Sequence, residues 1–492
     1  MTFQKAVRRV RECRRATERT VVLDASTSLV AVHEALVDED RGLLRLAPGV
    51  TPGHDLSAFN FHSVRESLYG AILDVTLGRI DRALRTVSNV LELQYDEPGT
   101  PWHGTFPVLA EATRPGEGAA EWVDFDPNWR QFVGVGLALF IERTGAALDA
   151  SFRARIDDAL VRCVEGERDR LSVEYSNPAL LYAWLAGWVG EHLRNAAASA
   201  VSVEWCSALR AQVARDGDLA EYNSPTYDGI DLFALALWIG RPSSQLMAAS
   251  GREILQRVTA RMQTLFHPEL RIIAGPYHRA YDVDLRSSVS LTGMWWAAHG
   301  ALDTLPAALT SSTVHVHDLY HLPLLEMALE QTGPLLECVP VLGARSHEQR
   351  FPGSVATSLV VPEGVIGFES GRRSTFAITQ YAPFVLALRG TRSNQPAWLA
   401  VFADSATTSL DVTRSGSSVH VISSRSDGPV AVTIRMSSDE QIRPLLAVPS
   451  GVATTMAPAD RGGSALILEA ERSPLEFTIE IPPIFMEFFD AE

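Results

Sequence analysis

Five prolines constrain this chain most. Pro127, Pro178, Pro225, Pro276 and Pro323 stand 51, 47, 51 and 47 residues apart, and each precedes an apolar or aromatic run. The first four follow Asp126, Asn177, Ser224 and Gly275, residue types that favour a helix N-cap. Proline suits the first helical position, because the N–H it lacks is one that a helix leaves unpaired there. Leu322 breaks the pattern at the fifth. One period has room for a buried helix, a turn, an amphipathic helix and a return loop, so the spacing predicts stacked helical hairpins. WRQFVGVGLALFIE, ALLYAWLAGWVG and LFALALWIG are apolar nearly all round, as enclosed helices are, whereas RIDRALRTVSNVLELQ and SFRARIDDALVRCVEGE carry a charged face. If the hairpins close into a ring, their inner N-termini share one mouth. Unpaired N–H groups and positive dipole ends there suit an anion such as a sugar carboxylate.

After about residue 345 the period changes. SLVVPEGVIGFES, TFAITQYAPFVLALRG, AWLAVFAD, TSLDVTRSGSSVHVISSR, PVAVTIRM, SALILEAE and LEFTIEIPP are short, β-branched and separated by Gly, Ser, Asp and Pro. GPLLECVPVLGARS reads as the link. The expected architecture is multidomain α+β. An N-terminal (α/α) toroid of helical hairpins, the catalytic domain, occupies residues 1–335, and an antiparallel β-sandwich occupies residues 336–492.

Several classes are excluded or disfavoured. A net charge of −16 argues against nucleic acid as a partner, since phosphate binding needs a basic surface. No apolar run is long enough for a transmembrane helix, so no membrane is expected. The start, MTFQKAVRRVRECRRATERTVV, is basic without a signal-type apolar run, which predicts a cytoplasmic home, with secretion after trimming left open. Cys13, Cys163, Cys206 and Cys338 are scattered and read as free thiols. Lys5 is the only lysine, which removes P-loop, Schiff-base and Ser-Lys chemistry from the fold. Neither G-x-G-x-x-G after a strand nor G-x-S-x-G is present. No cofactor is expected.

The proline-marked loops hold the unusual side chains: DFDPNW, EYSNP, EYNSPTYD and AGPYHRAYDVD, with PWHGTF just before the first. In EYNSPTYDGID, Ser224 is the expected N-cap, Pro225 the first helical residue, and Asp228 a complement to the helix dipole. Glu221, Tyr222 and Asn223 lie upstream of the cap, and capping does not explain them. In AGPYHRAYDVD, His278 and Tyr281 share a face if a helix has begun, beside the permanently charged Arg279. Asn177 reads first as a helix cap, with a second role in a neighbouring subsite open. HVHDLYH (315–321) offers three histidines and an aspartate, but its spacing fits no strong zinc signature. A surface turn is expected there and no metal is assigned. Trp102 and Trp129, near loops, are the candidates for stacking on sugars; Trp184, Trp188 and Trp238 read as core.

The stretches EYNSPTYDGIDLFAL, AGPYHRAYDVDL and YSNPALL, in a helical half followed by a strand half, resemble the heparinase II/III-like and alginate-lyase-like polysaccharide lyases. The resemblance covers about residues 60–490 in architecture. It implies β-elimination on a uronic-acid glycan, polymer or imported oligosaccharide, with oligomer formation open. A base takes the C5 proton, an acid protonates the leaving O4, and polar groups neutralise the carboxylate. By residue type, Asn177 or Asn223 with Arg279 match the neutralisers, and His278, Tyr281 or Tyr227 match the base and acid. Trp102, His103, Trp129, Glu221, Tyr222 and Asp284 are the candidate substrate contacts. The local Asn–His pair of some of these families is missing. Two alternatives stand beside the lyase. One is an (α/α)-barrel glycoside hydrolase drawing paired carboxylates from Asp126, Glu221, Asp228 and Asp284. The other is a non-catalytic glycan-binding protein.

Overall fold

The computed structural model describes residues 29–46, 61–167, 170–301, 304, 315–336, 339–371, 380–390, 396–403, 408–425, 429–437, 442–450, 452–458, 464–471 and 474–489. The basic N-terminal stretch, Cys13 and Cys338 lie outside the described residues. Cys163 and Cys206 are free and buried, and burial pushes both thiols up to about 12.

The fold is α+β, helices first and antiparallel sheets after. Among the described residues, the helices ahead of the large sheets include α1 Val64–Thr76, α2 Ile80–Glu92, α3 Trp129–Thr144, α4 Ala150–Glu165, α5 Ser176–His192, α6 Ala196–Asp216, α7 Asp228–Gly240, α8 Gln245–Leu265, α9 Leu291–Ala298 and α10 Leu322–Thr332. From α1 to α8, helices buried nearly all round alternate with half-exposed ones, as the hairpin repeat predicts. From its first to its fifteenth residue α5 is buried without interruption, while α2 buries only Ala83, Thr86, Val87, Val90 and Leu91. That contrast follows from the two kinds of apolar pattern.

Two compact units interleave along the chain. The first comprises Met1–Gln212, Ile230–Leu255 and Ala308–Leu335; the second comprises Val213–Gly229, Gln256–Ala307 and Leu336–Glu492. In the first unit α1 packs on α3, α3 on α5, and α10 returns to α1. Trp238 of α7 donates its indole N–H to the Leu180 carbonyl of α5 at 2.9 Å, so the aromatic runs are tied by hydrogen bonds as well as packing.

The second unit contains the sandwich. Its strands are β1 Arg345–Phe351, β2 Ser354–Val361, β3 Gly364–Ser370, β4 Phe384–Arg389, β5 Pro396–Ala403, β6 Thr408–Ser415, β7 Ser418–Arg425, β8 Val430–Met436, β9 Leu446–Ala447, β10 Ala453–Pro458, β11 Ser464–Ala470 and β12 Leu475–Glu480. Eight form a sheet in the order β10-β11-β8-β5-β4-β3-β2-β1, and four form a second in the order β6-β7-β12-β9. All pairings are antiparallel. Val401, Ile434 and Leu468 of the large sheet share one core with Val412, Val421 and Phe477 of the small one. The alternation of TSLDVTRS and SVHVISSR places their apolar faces in that core.

The prolines require corrections. Pro323 sits at the start of α10 as expected, but α3 begins two residues after Pro127, with Asp126 accepting the Asn128 N–H at 2.9 Å instead of capping. Asn177 is the second residue of α5 and therefore not its cap. Regular helix α7 begins at Asp228, after a turn over 225–227, although Ser224 still caps it by accepting the Tyr227 N–H at 2.9 Å. Pro276 opens no helix. Its neighbours bond to distant backbone instead: Tyr277 exchanges two bonds with Ala382, and the Ala280 N–H reaches the Gln380 carbonyl at 2.8 Å. The next helix, α9, starts at Leu291, capped by Ser290.

Candidate active site

Two loops of the second unit build the site. The first, 221–228, is fixed from below by Arg261 of α8. The Arg261 guanidinium meets Asp218 at 2.7 Å and Asp228 at 2.7 and 3.1 Å, all three buried. Asp228 thus serves a buried ion pair and not just the helix dipole. Asn223 has a left-handed backbone at φ 56°, which asparagine tolerates better than most residues. Its amide donates to the Ala274 and Pro276 carbonyls at 2.7 and 2.9 Å. Asn223 therefore joins the two loops.

The second loop, 274–284, lies on the large sheet. A Cβ on Gly367 of β3 would fall 1.8 Å from the Gly275 carbonyl oxygen, so only glycine permits this approach. Ser358 of β2 donates to the same carbonyl at 2.6 Å. Across the loops, His278 N–H bonds to Tyr222 O, Ser224 Oγ to Arg279 O, and Tyr281 N–H to Thr226 Oγ1.

His278 is buried. Its Nε2 lies 2.8 Å from Glu369 of β3 and its Nδ1 3.1 Å from the Ala220 carbonyl. Glu369 also accepts from Ser354 at 2.7 Å and Tyr381 at 3.0 Å. Both ring nitrogens of His278 thus face an oxygen acceptor, and the Glu369 carboxylate ties the imidazole to Ser354 and Tyr381. Tyr222, Phe351 and Tyr381 surround the imidazole at 5.2, 5.1 and 6.0 Å between ring centroids. The helical face expected to join His278 and Tyr281 does not exist, because this segment is not helical.

Tyr227 and Tyr281 are half-buried and hydrogen-bond through their hydroxyls at 2.8 Å. The Arg279 guanidinium stacks 4.0 Å from the Tyr227 ring centroid. It is oriented by donating from Nη1 to Glu221 at 2.7 Å and from Nε to Gln380 at 2.7 Å. Arg435 of β8 donates to the Tyr281 carbonyl at 3.0 Å. The result is two coupled phenols beside a fixed positive charge.

The other candidates are held inside. Tyr222 is fully buried, and desolvation pushes its phenol well up; it is no substrate platform. Asp284 is buried, accepts from the Arg286 backbone at 3.0 Å, and has its carboxyl raised by burial. In the first unit, Trp102 and Trp129 are buried at 7% and 5% exposure, so neither offers a face for sugar stacking. The Trp102 indole instead donates to Glu97, and Arg65 approaches the Trp129 ring at 5.4 Å. His103 is buried, accepts the Glu97 N–H at 3.1 Å, and is pushed down by desolvation. Asn177 is also buried. Glu369, Gln380 and Tyr381 were not among the sequence candidates. Placing the chemistry within residues 1–335 omits them. A glutamate in the otherwise apolar run GVIGFES was the available signal.

Residues 62–330 match the family described as Domain of unknown function (DUF8769). The chain belongs to this family. No curated protein matches the sequence. Among solved structures, this DUF8769 chain is similar to heparinase III, at 7% identity, covering 85% of this chain and 76% of that one, with a TM-score of 0.40. It is similar to a heparan sulfate lyase mutant from Pedobacter heparinus at 9% identity, with coverages of 85% and 76% and a TM-score of 0.33. An endoglucanase from Clostridium thermocellum, complexed with cellobiose and cellotriose, gives 9%, 85%, 83% and 0.27. No helix among the described residues is long and apolar enough to cross a membrane.

Proposed function

We propose that this DUF8769 chain is a lyase that cleaves a uronic-acid-containing oligosaccharide or polysaccharide by β-elimination. The observation that carries this reading is the Tyr227–Tyr281 hydroxyl pair beside the Arg279 guanidinium. Arg279 binds the uronate carboxylate and withdraws charge, which makes the C5 proton acidic. One phenolate of the pair takes that proton; the electron pair forms the C4=C5 bond and expels O4. The second phenol protonates O4 as it leaves. The base has then gained one proton and the acid has lost one, and their shared hydrogen bond returns the pair to its starting state. Arg279 also places a positive charge against the Tyr227 ring, where negative charge develops during the reaction. Glu221 and Gln380 aim Arg279. His278, engaged at both nitrogens, holds the loop to the sheet through Glu369 and does not act as the base. We further propose that residues 1–335 form an (α/α) toroid domain and residues 336–492 an antiparallel β-sandwich domain, with the site drawing on both.

The test is an ultraviolet screen against glucuronan, alginate, heparosan, hyaluronan and rhamnose–glucuronate oligomers, with product masses. The expected products absorb in the ultraviolet, and their masses sum to that of the substrate. Products that carry added water throughout overturn the lyase and favour a hydrolase. Against the hydrolase, Glu221 and Asp228 each pair with an arginine.

A further inference from the structure

The segment HVHDLYH ahead of α10 is not the surface turn expected from its sequence. Val316, Leu319, Tyr320 and His321 are buried, and residues 316–321 form a short 3-10 helix. His315, just before it, adopts a left-handed backbone at φ 56°, and its carbonyl accepts the Asp318 N–H at 2.9 Å. This fold-back leaves three polar side chains half-buried and together. One ring nitrogen each from His315 and His317 and one carboxylate oxygen of Asp318 all lie within 4.8 Å of one another.

We propose that His315, His317 and Asp318 bind a divalent transition metal, with zinc the best match. Two imidazoles and a carboxylate are donors that such ions favour, and three protein ligands leave a position open for water. Ligands about 2.1 Å from a tetrahedral ion stand about 3.4 Å apart. His317 Nε2 and Asp318 Oδ1 are already 3.7 Å apart, too far for a hydrogen bond between them but near that spacing.

The surroundings suit a cation despite one arginine. Arg65 NH2 lies 3.5 Å from Asp318, but the same guanidinium is paired with the buried Glu66. Two carboxylates against one guanidinium leave the cluster negative before a metal enters. The turn is also braced from behind. His321 Nδ1 lies 3.0 Å from the Asp318 carbonyl, and the His321 ring packs edge-on against Tyr69 of α1 at 5.3 Å. Because α10 packs on α1, an ion here would fasten the entrance of one helix beside the other. The site is independent of the lyase reading.

The experiment uses the full chain without a polyhistidine tag, stripped with chelator and titrated with zinc chloride or cobalt chloride alone. One equivalent is expected to bind per chain, with cobalt giving the visible absorption of a low-coordinate site. His317→Gln and Asp318→Asn are each expected to weaken binding at least about ten-fold. His192→Gln, at a histidine stacked on Trp188, should leave binding unchanged. If circular dichroism shows that His317→Gln does not fold, His315→Gln replaces it. Binding well below one equivalent overturns the proposal. So does binding that neither ligand variant changes by more than about two-fold.

Discussion

His278 and Tyr281 stand three residues apart in one loop, yet the structure treats them differently. His278 is sealed beneath Phe351 and Tyr381 with Glu369 at one nitrogen and the Ala220 carbonyl at the other. Tyr281 keeps part of its surface exposed, and its hydroxyl bonds to another half-buried phenol, Tyr227. Both are chemically able groups. On the proposed reading, the buried residue with both ring nitrogens engaged holds structure, and the half-exposed one beside a guanidinium carries the chemistry.

That distinction can be broken at several points. The largest effect is expected at the open pair. Tyr281→Phe or Tyr227→Phe should lower turnover roughly 100- to 10,000-fold. Each should change unfolding free energy by no more than about 0.5 kcal/mol, as read from urea denaturation. The sealed pair should behave in the opposite way. Glu369→Ala takes the carboxylate away from the buried imidazole, Ser354 and Tyr381 and should cost about 1–3 kcal/mol of stability in the same denaturation experiment. A Glu369→Ala protein as stable as wild type but inert would reverse the roles of the two clusters.

A smaller effect is expected at the residue between them. Arg279→Lys keeps the charge but loses the planar fork that Glu221 and Gln380 orient. It should lower kcat/KM about 10- to 100-fold, in steady-state kinetics on the oligosaccharide found by the screen. The smallest effect concerns Asp284. Burial raises its carboxyl above the ordinary 3.8, with Arg286 opposing. The folded protein thus holds this proton more tightly than the unfolded chain does. Wild type should match Asp284→Asn below 3.8 and lose stability relative to it as pH rises through the folded-state value. Urea midpoints of the two proteins across that range read the gap directly, and a gap that closes with rising pH would contradict the assignment.

The helical hairpins and the strands were legible because their signals are local. A run such as ALLYAWLAGWVG has no polar face, and SVHVISSR alternates. The loops were legible only in composition. Tyr227, Tyr281 and Arg279 stood out as unusual residues near a proline, but their convergence depends on backbone bonds to residues 380 and 382, far along the chain. Pro276 was misread for the same reason. Nothing near it announces that its neighbours pair with a strand-side segment. Gly367 was the local hint, since a glycine inside a strand can mark a close backbone approach. Trp102 and Trp129 failed as sugar platforms because loop proximity does not imply exposure. Among the described residues the exposed tryptophan is Trp122, which no periodicity marked out.

The most direct test of the central claim is the Tyr281→Phe protein on whichever uronate oligosaccharide the wild type cleaves, followed by ultraviolet absorbance and product mass. The account predicts a wild-type unsaturated product without added water, and its near-complete loss in a variant that folds normally. Undiminished formation of that product by Tyr281→Phe, or water in every wild-type product, would contradict it.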